Sequence, residues 1–518
     1  MKLKNIFNTL SLAAVALVAT ACQDTDAQVN IAEVGAPELV SVTPEATAPV
    51  LFGEQTFTVT FDKNVGFATK NTSLITLNGK PVKSAKVNGV SKALTIVADV
   101  DFSKTQVLKI PAGLVVGPQQ KPYNQEITQQ WTISDLSTDN AAYAMTQKLG
   151  WGWNLGNHFD TSDMTWGYWD GVATLTAAPF ATLAAAGAKT VRIPTTWTVH
   201  MDDTNTIDAA YLDEVAAVVD LAIAQNLNVV LNTHHDSFET DLGKAAGDEN
   251  IAKADSTLIV DLWTQVATRF ANYGDQLIFE TFNEVHAGDD WSTGSEAQFD
   301  LLNKWNQYAV DAIRATGGNN ATRWIAVSGY ASNIDLTIAH LVVPADEHII
   351  VAVHSYDPYA FCTEPLNKAG DATVNSWGHN ADPSKSVSGA NEDYVIRQLY
   401  KLRTAYIEKG IPCYLGEYGC VYHPTDNANA FRKYYFEFFC RAAYLAGIPM
   451  FIWDNNVSGV VRRDAEEKLV ETFGYIDHAN GSWMNDSEET VPMMINACTN
   501  TDESYWFDTI WSKAPVAE

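Results

Sequence analysis

The feature that most restricts the fold is a regular alternation of short apolar stretches with helical stretches beyond residue 140. Between most of the short stretches, apolar residues recur at helical spacing, for example over residues 211–225 and 431–447. Eight strand–helix units in one chain segment predict an α/β fold, a (β/α)8 barrel with long loops over residues 141–518. The predicted strands cover residues 151–156, 190–194, 228–234, 277–283, 324–329, 349–354, 413–417 and 450–453.

Two of these predicted strands lead into a glutamate. The run QLIFETFNEVH carries Asn283 and Glu284 at the end of the fourth strand, and IPCYLGEYG carries Glu417 at the end of the seventh. A carboxylate at the end of a buried strand is costly unless it is paired or functional. One such residue could simply cap a helix. Two of them, at the strand ends where (β/α)8 barrels carry their chemistry, indicate a site built on paired carboxylates.

The other predicted strands also end in polar or aromatic residues. Each has an ordinary structural explanation, such as an ion pair or a satisfied core histidine. Together they would surround one rim of the barrel, which structural needs alone rarely produce. These residues are Asn157, Arg192, His234, His235, Asp236, His354, Tyr356, Trp453 and Asp454.

The charge of the chain limits its partners. The 518 residues carry a formal net charge of −29 at pH 7, and no basic run follows the first few residues. Nucleic-acid phosphates require clusters of Lys and Arg, so we expect no nucleic-acid partner. A strongly acidic surface is compatible with an exposed protein that acts on a neutral substrate.

Residues 1–21 have the pattern of an export signal. Lys2 and Lys4 precede a short apolar run, residues 10–18, and small residues precede Cys22. The segment around Cys22 resembles a bacterial lipobox, and Asp24 and Asp26 resemble the surface-export signal of Bacteroidetes lipoproteins. We therefore expect lipidation at Cys22, a polar tether over residues 22–36, and an outer-membrane lipoprotein exposed at the cell surface. An ordinary secretory signal with a chance cysteine is the alternative.

Residues 37–136 have an all-β pattern. Alternating strands are predicted over residues 56–61 and 93–100, and a hairpin over residues 74–82 around Asn78 and Gly79. Short strands separated by turns predict a small β-sandwich, and the segment resembles the bacterial Ig-like domains that precede extracellular enzymes. It holds a single tryptophan, Trp131, so a spacer is favoured over an aromatic sugar-binding platform.

From about residue 145 to 515 the chain resembles glycoside hydrolase family 5. Seven stretches carry the resemblance, in the order of the family: GWNLGN, VRIP, THHD, TFNE, VHSYDPYAF, LGEYG and WDNN. The stretch VHSYDPYAF is most similar to subfamily 4, which contains endo-β-1,4-glucanases and xyloglucanases. The resemblance implies a retaining hydrolase without a cofactor or a metal, with Glu284 as the acid/base and Glu417 as the nucleophile.

The resemblance also implies roles for the residues around the two glutamates. Arg192 and Tyr356 are expected to keep Glu417 ionised, and Asn283 to bind the sugar 2-hydroxyl. His234, His235 and His354 would orient the site, and a neighbouring Glu417 together with burial would raise the pKa of Glu284. Further substrate contacts are expected from aromatic faces and one amide, in Asn157, Trp453, Trp166, Trp169, Trp291, Tyr359 and Trp377.

Alternatives of two kinds stay open at this stage. The expected substrate is a β-1,4-glucan, namely cellulose, mixed-linkage glucan or xyloglucan, and xylan or mannan share the same linkage geometry. A metal-dependent hydrolase could use His234, His235, Asp236 and His354, Cys420 could be a nucleophile, and a surface glycan-binding protein would not need catalysis. Both carboxylates are present, which favours the hydrolase. Five cysteines follow Cys22, so at least one is unpaired within the chain. A monomer is expected.

Overall fold

The computed structural model describes residues 35–46, 53–101, 103–132, 140–502 and 504–518. The expected signal peptide, the lipidation site Cys22 and almost all of the expected tether lie outside these residues. Contacts divide the chain into two compact units, and the main boundary between them falls between Thr132 and Ile133. No helix within the described residues is both long enough and apolar enough to cross a bilayer.

The first unit contains two four-stranded sheets. Large apolar residues such as Phe57 and Ile96 point inward and are fully buried, while their neighbours along each strand are more exposed. Phe57 of one sheet meets Trp131 of the other with ring centroids 4.9 Å apart. Trp131 is therefore a core residue. In hydrogen-bonded order, one sheet is Leu39–Thr43, Gly53–Phe61, Ala93–Val100, Ser84–Val87, and the other is Ile127–Thr132, Thr105–Ile110, Thr76–Leu77, Lys80–Pro81.

Four smaller elements lie within the described part of the first unit. Gly66–Phe67 pairs antiparallel with Val115–Val116, and two short 3-10 helices span Thr72–Leu74 and Pro118–Gln120. The predicted hairpin forms where Thr76–Leu77 pairs with Lys80–Pro81. Asn78 and Gly79 make its turn, both with positive φ, which explains the Asn-Gly sequence.

The second unit is a closed barrel of eight parallel strands, which confirms the predicted fold. All eight predicted strands form, and pairing of Trp151 with Met450 closes the barrel between the last strand and the first. We number the strands β1 Trp151–Asn154, β2 Thr190–Ile193, β3 Asn228–Asn232, β4 Leu277–Glu280, β5 Ile325–Asn333, β6 Ile349–Ser355, β7 Cys413–Tyr418 and β8 Met450–Ile452.

Helices lie between the strands, and their apolar faces are buried. The helix predicted over residues 211–225 spans Ala209–Ala224, and the one over residues 431–447 starts earlier, at Asp426, with Thr425 as its N-cap. The helices of this unit are α1 Ala141–Leu149, α2 Ala178–Ala186, α3 Ala209–Ala224, α4 Leu242–Ala245, α5 Glu249–Arg269, α6 Glu296–Ala315, α7 Ile334–His340, α8 Tyr359–Cys362, α9 Glu392–Ala405, α10 Asp426–Ala446, α11 Ser487–Thr499 and α12 Phe507–Trp511.

Shorter elements lie in the loops of the barrel. A hairpin joins Arg462–Arg463 to Leu469–Val470 after β8. Four 3-10 helices span Met164–Trp166, Thr198–His200, Gly318–Ala321 and Ile407–Lys409.

The barrel interior changes from apolar to polar along the strands. Near the strand starts, residues such as Val230, Ile278 and Phe451 form a core that Met145 and Leu149 of α1 join. Toward the carboxyl ends, Asn154, Arg192, Asn232 and Glu280 are fully buried polar residues. Burial of this many polar groups is costly unless they bond one another. The polar layer therefore marks the end of the barrel that supports the site.

Candidate active site

A cleft of about 720 Å³ opens at the carboxyl ends of the barrel strands. It is lined by both predicted catalytic glutamates and by five of the predicted supporting residues, namely His234, His235, Asn283, His354 and Tyr356. Trp453, which follows β8, also lines it. The prediction that these strand-end residues lie together at one rim of the barrel therefore agrees with the geometry. The fourth strand is shorter than predicted, because β4 ends at Glu280 and Glu284 lies four residues beyond it.

Glu417, in β7, is held by one donor on each carboxylate oxygen. Arg192 Nη1 donates to Oε1 at 2.8 Å, and the Tyr356 hydroxyl donates to Oε2 at 2.9 Å. Arg192 is fully buried in β2 and its pKa stays above the ordinary value, because Glu280 and Glu417 outweigh the effect of burial. A cation and a hydroxyl donor favour the ionised carboxylate that a nucleophile needs. The expected roles of Arg192 and Tyr356 agree with this geometry.

Arg192 is in turn fixed by Glu280, the last residue of β4. The Glu280 carboxylate accepts hydrogen bonds from Arg192 Nη2 at 2.6 Å and from Arg192 Nε. It also accepts from Tyr414 Oη at 2.5 Å and Asn232 Nδ2 at 3.0 Å. Burial by itself would raise the pKa of Glu280, but the charge and hydrogen bonds of Arg192 lower it below its usual range. The buried pair is therefore an ionised, fully bonded support for Glu417.

Glu284, the predicted acid/base, lies in the loop after β4 with its side chain 21% exposed. Burial, followed by the charge of Glu239, raises the pKa of Glu284 to about 7. The pKa of Glu284 rises, as the sequence led us to expect. The carboxylate whose charge contributes most to this rise is Glu239 and not Glu417. A carboxyl that stays protonated near neutral pH can act as a general acid.

The two glutamates lie close enough for double displacement. One carboxylate oxygen of each lies within 4.8 Å of the other, and both also lie within that distance of a His354 ring nitrogen. Retaining glycosidases place their carboxyl groups about 5–5.5 Å apart, whereas inverting enzymes need roughly 6.5–9.5 Å to admit a water. The separation fits a retaining mechanism.

His354, near the end of β6, joins the two carboxyls. Its Nδ1 lies 2.6 Å from Glu284 Oε1 and 3.8 Å from Glu417 Oε2. Burial lowers the pKa of His354 to about 4, so the proton between His354 and Glu284 resides on the carboxyl near neutral pH. Gly416 makes room for this ring, because a Cβ at that position would lie 2.9 Å from His354 Nε2.

A second carboxylate, Glu239, organises the other side of the site. Its Oε1 accepts from Asn283 Nδ2 at 2.9 Å, and its Oε2 lies 2.8 Å from His235 Nδ1. Asn283 Oδ1 accepts from Arg192 Nη2 at 2.9 Å, so this amide is held from both ends. Burial lowers the pKa of His235, but the hydrogen bond and charge of Glu239 raise it overall to about 9. His235 is consequently protonated at neutral pH.

The predicted aromatic contacts fall into two groups. Trp453, Trp291 and Tyr359 line the cleft, and Trp291 and Tyr359 are 50% and 58% exposed. Trp169 is also exposed and lies over His235, with ring centroids 6.1 Å apart. Faces that are open to solvent beside the catalytic residues can stack on sugar rings.

Trp377 was predicted as a substrate contact, and the structure contradicts this. It is buried at 2% exposure, its Nε1 donates to the Ala390 carbonyl, and its ring packs against Tyr434 and Tyr435. Its aromatic ring is buried against α10 and is not available to a substrate. Trp197 and Phe361, the latter in α8, are likewise fully buried.

Two further predicted contacts are Asn157 and Trp166. Asn157 lies in the loop after β1 and has a positive φ of 62°. Its backbone N–H donates to Asp160 Oδ2, and its backbone carbonyl accepts from the backbone N–H of Asp170. It shapes that loop and is not among the residues lining the cleft. Trp166 ends the 3-10 helix Met164–Trp166, and its side chain lies outside the described part of the structure.

The alternative chemistries have little support in the geometry. Asp236 Oδ1 accepts from the backbone amides of Trp197 and Thr198, so this carboxylate caps a loop and does not join His234, His235 and His354. Cys420 is fully buried and is not among the residues that line the cleft. The cysteines 362, 413, 420, 440 and 498 are all free thiols.

Sequence reasoning missed three carboxylates around the site: Asp160, Glu239 and Glu280. Glu280 could have been found, because it is the one charged residue inside the apolar strand LIFE. Glu239 follows His235 by four residues, a helical spacing in a segment without a predicted helix. No local signal distinguished Asp160, since its surroundings depend on loops from different strands.

Comparison with known proteins agrees with this geometry. The sequence model of the family described as Cellulase (glycosyl hydrolase family 5) matches residues 153–459. An endoglucanase A from Clostridium longisporum is 33% identical over 356 residues, which cover 66% of this chain and 63% of that protein. The chain therefore spans a little under two thirds of that relative's length.

Two solved structures are similar over almost their whole length. A native Bacteroidetes-affiliated GH5 cellulase linked with a polysaccharide utilization locus is 36% identical with a TM-score of 0.66, covering 73% of this chain and 98% of that one. A GH5-4 broad specificity endoglucanase from Bacteroides salanitronis is 39% identical with a TM-score of 0.63, covering 71% and 97%.

Proposed function

Because this chain belongs to glycosyl hydrolase family 5, we propose that it is a retaining endo-β-1,4-glucanase. The observation that carries this proposal is the pair Glu284 and Glu417, with carboxylate oxygens within 4.8 Å of each other in a cleft lined by aromatic faces. The relatives are named as endoglucanases, which supports internal cleavage of a glucan chain. All the residues in the proposed mechanism come from one chain, so we propose that a monomer is sufficient for activity.

We propose a different task for each glutamate, as the family resemblance implies. Glu284 protonates the glycosidic oxygen of the bound chain, while Glu417, ionised beside Arg192 and Tyr356, attacks the anomeric carbon. The result is a glycosyl-enzyme and a released sugar chain. Glu284, now a carboxylate, removes a proton from the incoming water, and the water cleaves the ester and restores both glutamates. Asn283, held by Glu239 and Arg192, is placed to bond the sugar 2-hydroxyl.

We propose β-1,4-glucans as the substrate class, covering cellulose, mixed-linkage glucan and xyloglucan. The support is the similarity to a GH5-4 broad specificity endoglucanase and to a family 5 xyloglucanase from Paenibacillus pabuli. Reducing ends released from a panel of purified polysaccharides would rank the candidates. A rate on xylan or mannan above that on every glucan would contradict this choice.

The roles of the two glutamates are tested by azide rescue of two variants. Glu417→Gly lacks the nucleophile, so azide in the vacated space should attack directly and give an α-glycosyl azide from an activated aryl β-glycoside. Glu284→Ala still forms the glycosyl-enzyme from that substrate, so azide should give the β product. On polymer, Glu284→Ala should lose at least about 10²–10⁴-fold, the usual value of general acid–base assistance.

The measurement is the anomeric configuration of each azide product by NMR. The opposite pair of configurations would exchange the two roles. Ordinary activity on polymer in either variant would remove that residue from the mechanism. Glu284→Gln serves as the matched control, since it keeps the side-chain volume and removes only the proton donor.

We further propose that the chain is an outer-membrane lipoprotein exposed at the cell surface. The support is the sequence of residues 1–26, with acylation expected at Cys22. The first folded unit would be an Ig-like spacer that holds the enzyme away from the membrane. Its two four-stranded sheets and its buried Trp131 support a structural role.

A further inference from the structure

Two buried cysteines from different loops of the barrel meet behind the cleft wall. Cys362 is the last residue of α8, in the loop after β6, and Cys420 lies two residues after the end of β7. Both are fully buried free thiols, and they are hydrogen-bonded to each other. We propose that Cys362 and Cys420 form a disulfide when the chain meets an oxidising environment, which would join the loops after β6 and β7 covalently.

The backbone around the two thiols supports this link. The backbone N–H of Val421 donates to the Cys362 carbonyl at 2.9 Å, and Cys420 Sγ lies 3.7 Å from the Phe361 carbonyl oxygen. Segments joined by a backbone hydrogen bond lie roughly 5 Å apart, which is within the Cα separation of about 4.4–6.8 Å that a disulfide requires. The bond can therefore form with little movement of the backbone.

The surroundings of Cys420 favour the reactive form of its thiol. Its Sγ lies 3.6 Å from His423 Nε2, and the buried Arg432 donates from Nε to the Cys420 carbonyl at 2.9 Å. Burial raises the pKa of the Cys420 thiol, but the hydrogen bonds with Cys362 and His423 and the charge of Arg432 lower it overall. Because the thiolate is the nucleophile in disulfide chemistry, Cys420 is the thiol that attacks first.

The oxidant is itself a disulfide, either a small molecule such as oxidised glutathione or the disulfide of a thiol oxidase. The Cys420 thiolate attacks one sulfur of the oxidant, which gives a mixed disulfide and releases one thiolate. Cys362 then loses its proton and attacks the Cys420 sulfur, and the second thiolate leaves. Two cysteine thiols are oxidised to one disulfide, and the oxidant is reduced to two thiols. Since both cysteines are buried, the exchange accompanies folding or a local opening of the loops.

The other three described cysteines provide comparisons. Cys440 and Cys498 are also hydrogen-bonded to each other, but burial and this bond raise the pKa of Cys498. Cys440 Sγ lies 3.5 Å from the Tyr418 hydroxyl instead of an imidazole. Burial alone raises the pKa of Cys413, which makes it the matched control for a buried thiol outside such a pair.

The position of the link predicts its effect. α8 carries Tyr359, which lines the cleft, and Cys420 follows Glu417 by three residues. A disulfide between thiols that are already in contact should leave the cleft unchanged and restrict the unfolded chain. We expect it to raise the Tm of the barrel by about 2–6 °C. The link does not rest on the proposed function, since it depends only on the two thiols.

The test is peptide mass spectrometry of the full chain without reduction. One sample is the purified, reduced chain treated with oxidised glutathione, and the other is exported to the periplasm of a bacterial host, where oxidation accompanies folding. Remaining thiols are blocked with N-ethylmaleimide in denaturant before digestion. A peptide pair linked through Cys362 and Cys420 is expected. Alkylation of both cysteines in both samples, or a link from either one to a different cysteine, overturns the proposal.

Thermal melts of oxidised and reduced samples provide a second measurement. The higher Tm of the oxidised form should disappear in Cys362→Ala and Cys420→Ala and persist in Cys413→Ala. Comparison of the two forms of one variant removes the packing cost of each alanine, and the peptide map of the wild type does not depend on any variant. The kcat on soluble β-glucan should be the same in both forms, and an equal Tm in both forms of the wild type overturns the proposal. A linked chain that cleaves no glucan fails the proposed function and leaves the disulfide standing.

Discussion

At the scale of single residues, Glu239 determines the arrangement and protonation of several residues in the cleft without a proposed catalytic role of its own. It holds Asn283 and His235 by hydrogen bonds, and its charge raises the pKa of Glu284. Glu280 has a similar place behind Arg192. In both cases a buried carboxylate positions a residue that contacts the substrate or the nucleophile. Removal of one partner from such a buried pair typically costs about 3–5 kcal/mol of stability.

The first prediction concerns the pH profile of Glu239→Gln. The general acid must be protonated, so in the wild type kcat/KM should fall as the pH rises through about 7, the pKa of Glu284. Loss of the Glu239 charge should move this alkaline limb to lower pH. The accompanying loss of a proton from His235 acts in the opposite direction, but Glu239 has the larger effect on Glu284.

Glu239→Ala is the matched comparison for this experiment. The glutamine can still accept the hydrogen bond from Asn283, whereas the alanine cannot, so only the alanine variant should lose at least about tenfold in kcat at every pH. The measurement is kcat/KM on a soluble β-glucan between pH 4 and 9, because the leaving group of the polymer must be protonated. An alkaline limb in Glu239→Gln that coincides with that of the wild type would contradict the role assigned to this charge.

At the scale of elements, the loops after β1 and β8 are joined by a buried chain of charged groups. Asp170, in the first loop, lies 2.9 Å from His158 Nδ1 and 3.0 Å from His478 Nδ1. His478 also pairs with Asp454 at 3.4 Å, directly after the cleft residue Trp453. Trp153 of β1 donates to the same aspartate at 2.9 Å. This cluster fixes the position of Trp453 relative to the first loop.

The second prediction follows from the pKa of His478. Burial lowers it, but the hydrogen bond to Asp170 and the ion pair with Asp454 raise it overall to about 9. Because the folded-state pKa lies above the ordinary value of about 6.5, the stabilisation is complete below about pH 6.5 and is lost as the pH rises through 9. The loss should approach about 3 kcal/mol, at about 1.4 kcal/mol for each pKa unit.

Thermal unfolding between pH 6 and 10 measures this effect. His478→Gln is the control, because it removes the titrating group while leaving the other charges in place. The decrease in Tm with pH should be steeper in the wild type than in the variant. Parallel curves would show that His478 does not hold its proton in the folded protein.

At the scale of the whole molecule, every group proposed for catalysis belongs to the second unit. The barrel starts with α1 at Ala141, and the cleft lining begins only at His234. The third prediction is that a chain starting at Asn140 folds and keeps its kcat on soluble glucan. Asn140 is retained because its side chain caps α1 and donates to the Ile407 carbonyl.

The comparison for that experiment is the chain from Pro37, assayed on the same soluble polymer. Equal circular dichroism and equal Tm for the barrel transition establish that the shorter chain is folded. A large decrease in kcat in a folded barrel would contradict the spacer role of the first unit.

The fourth prediction concerns attachment to the membrane. Acylation of Cys22 is the expected anchor, so Cys22→Ala should move the protein from the membrane fraction to the soluble fraction. Cys22→Ser is a second variant with nearly the same volume and the same expected result. Membrane attachment of both variants after a high-salt wash would contradict the lipoprotein proposal.

The sequence by itself determined the barrel and brought together the two glutamates that are proposed for catalysis. The strands of a (β/α)8 barrel are buried on both faces, so each has a short apolar sequence. Eight such sequences could be recognised without any tertiary information. The carboxyl ends of parallel strands share one rim, so residues at those ends, such as Arg192, Glu284 and Glu417, could be placed together from the topology alone. Local pattern and topology are sufficient for such residues.

Only the tertiary structure decided which side chains complete the site. Trp377 and Trp291 are both loop tryptophans in sequence, but packing against α10 buries one and leaves the other open to the cleft. Glu239 acts on Glu284 through space, and Asp160 meets His235 across two loops. Burial, pKa and the convergence of loops depend on distances between residues far apart in the chain, and a linear pattern contains no such distances.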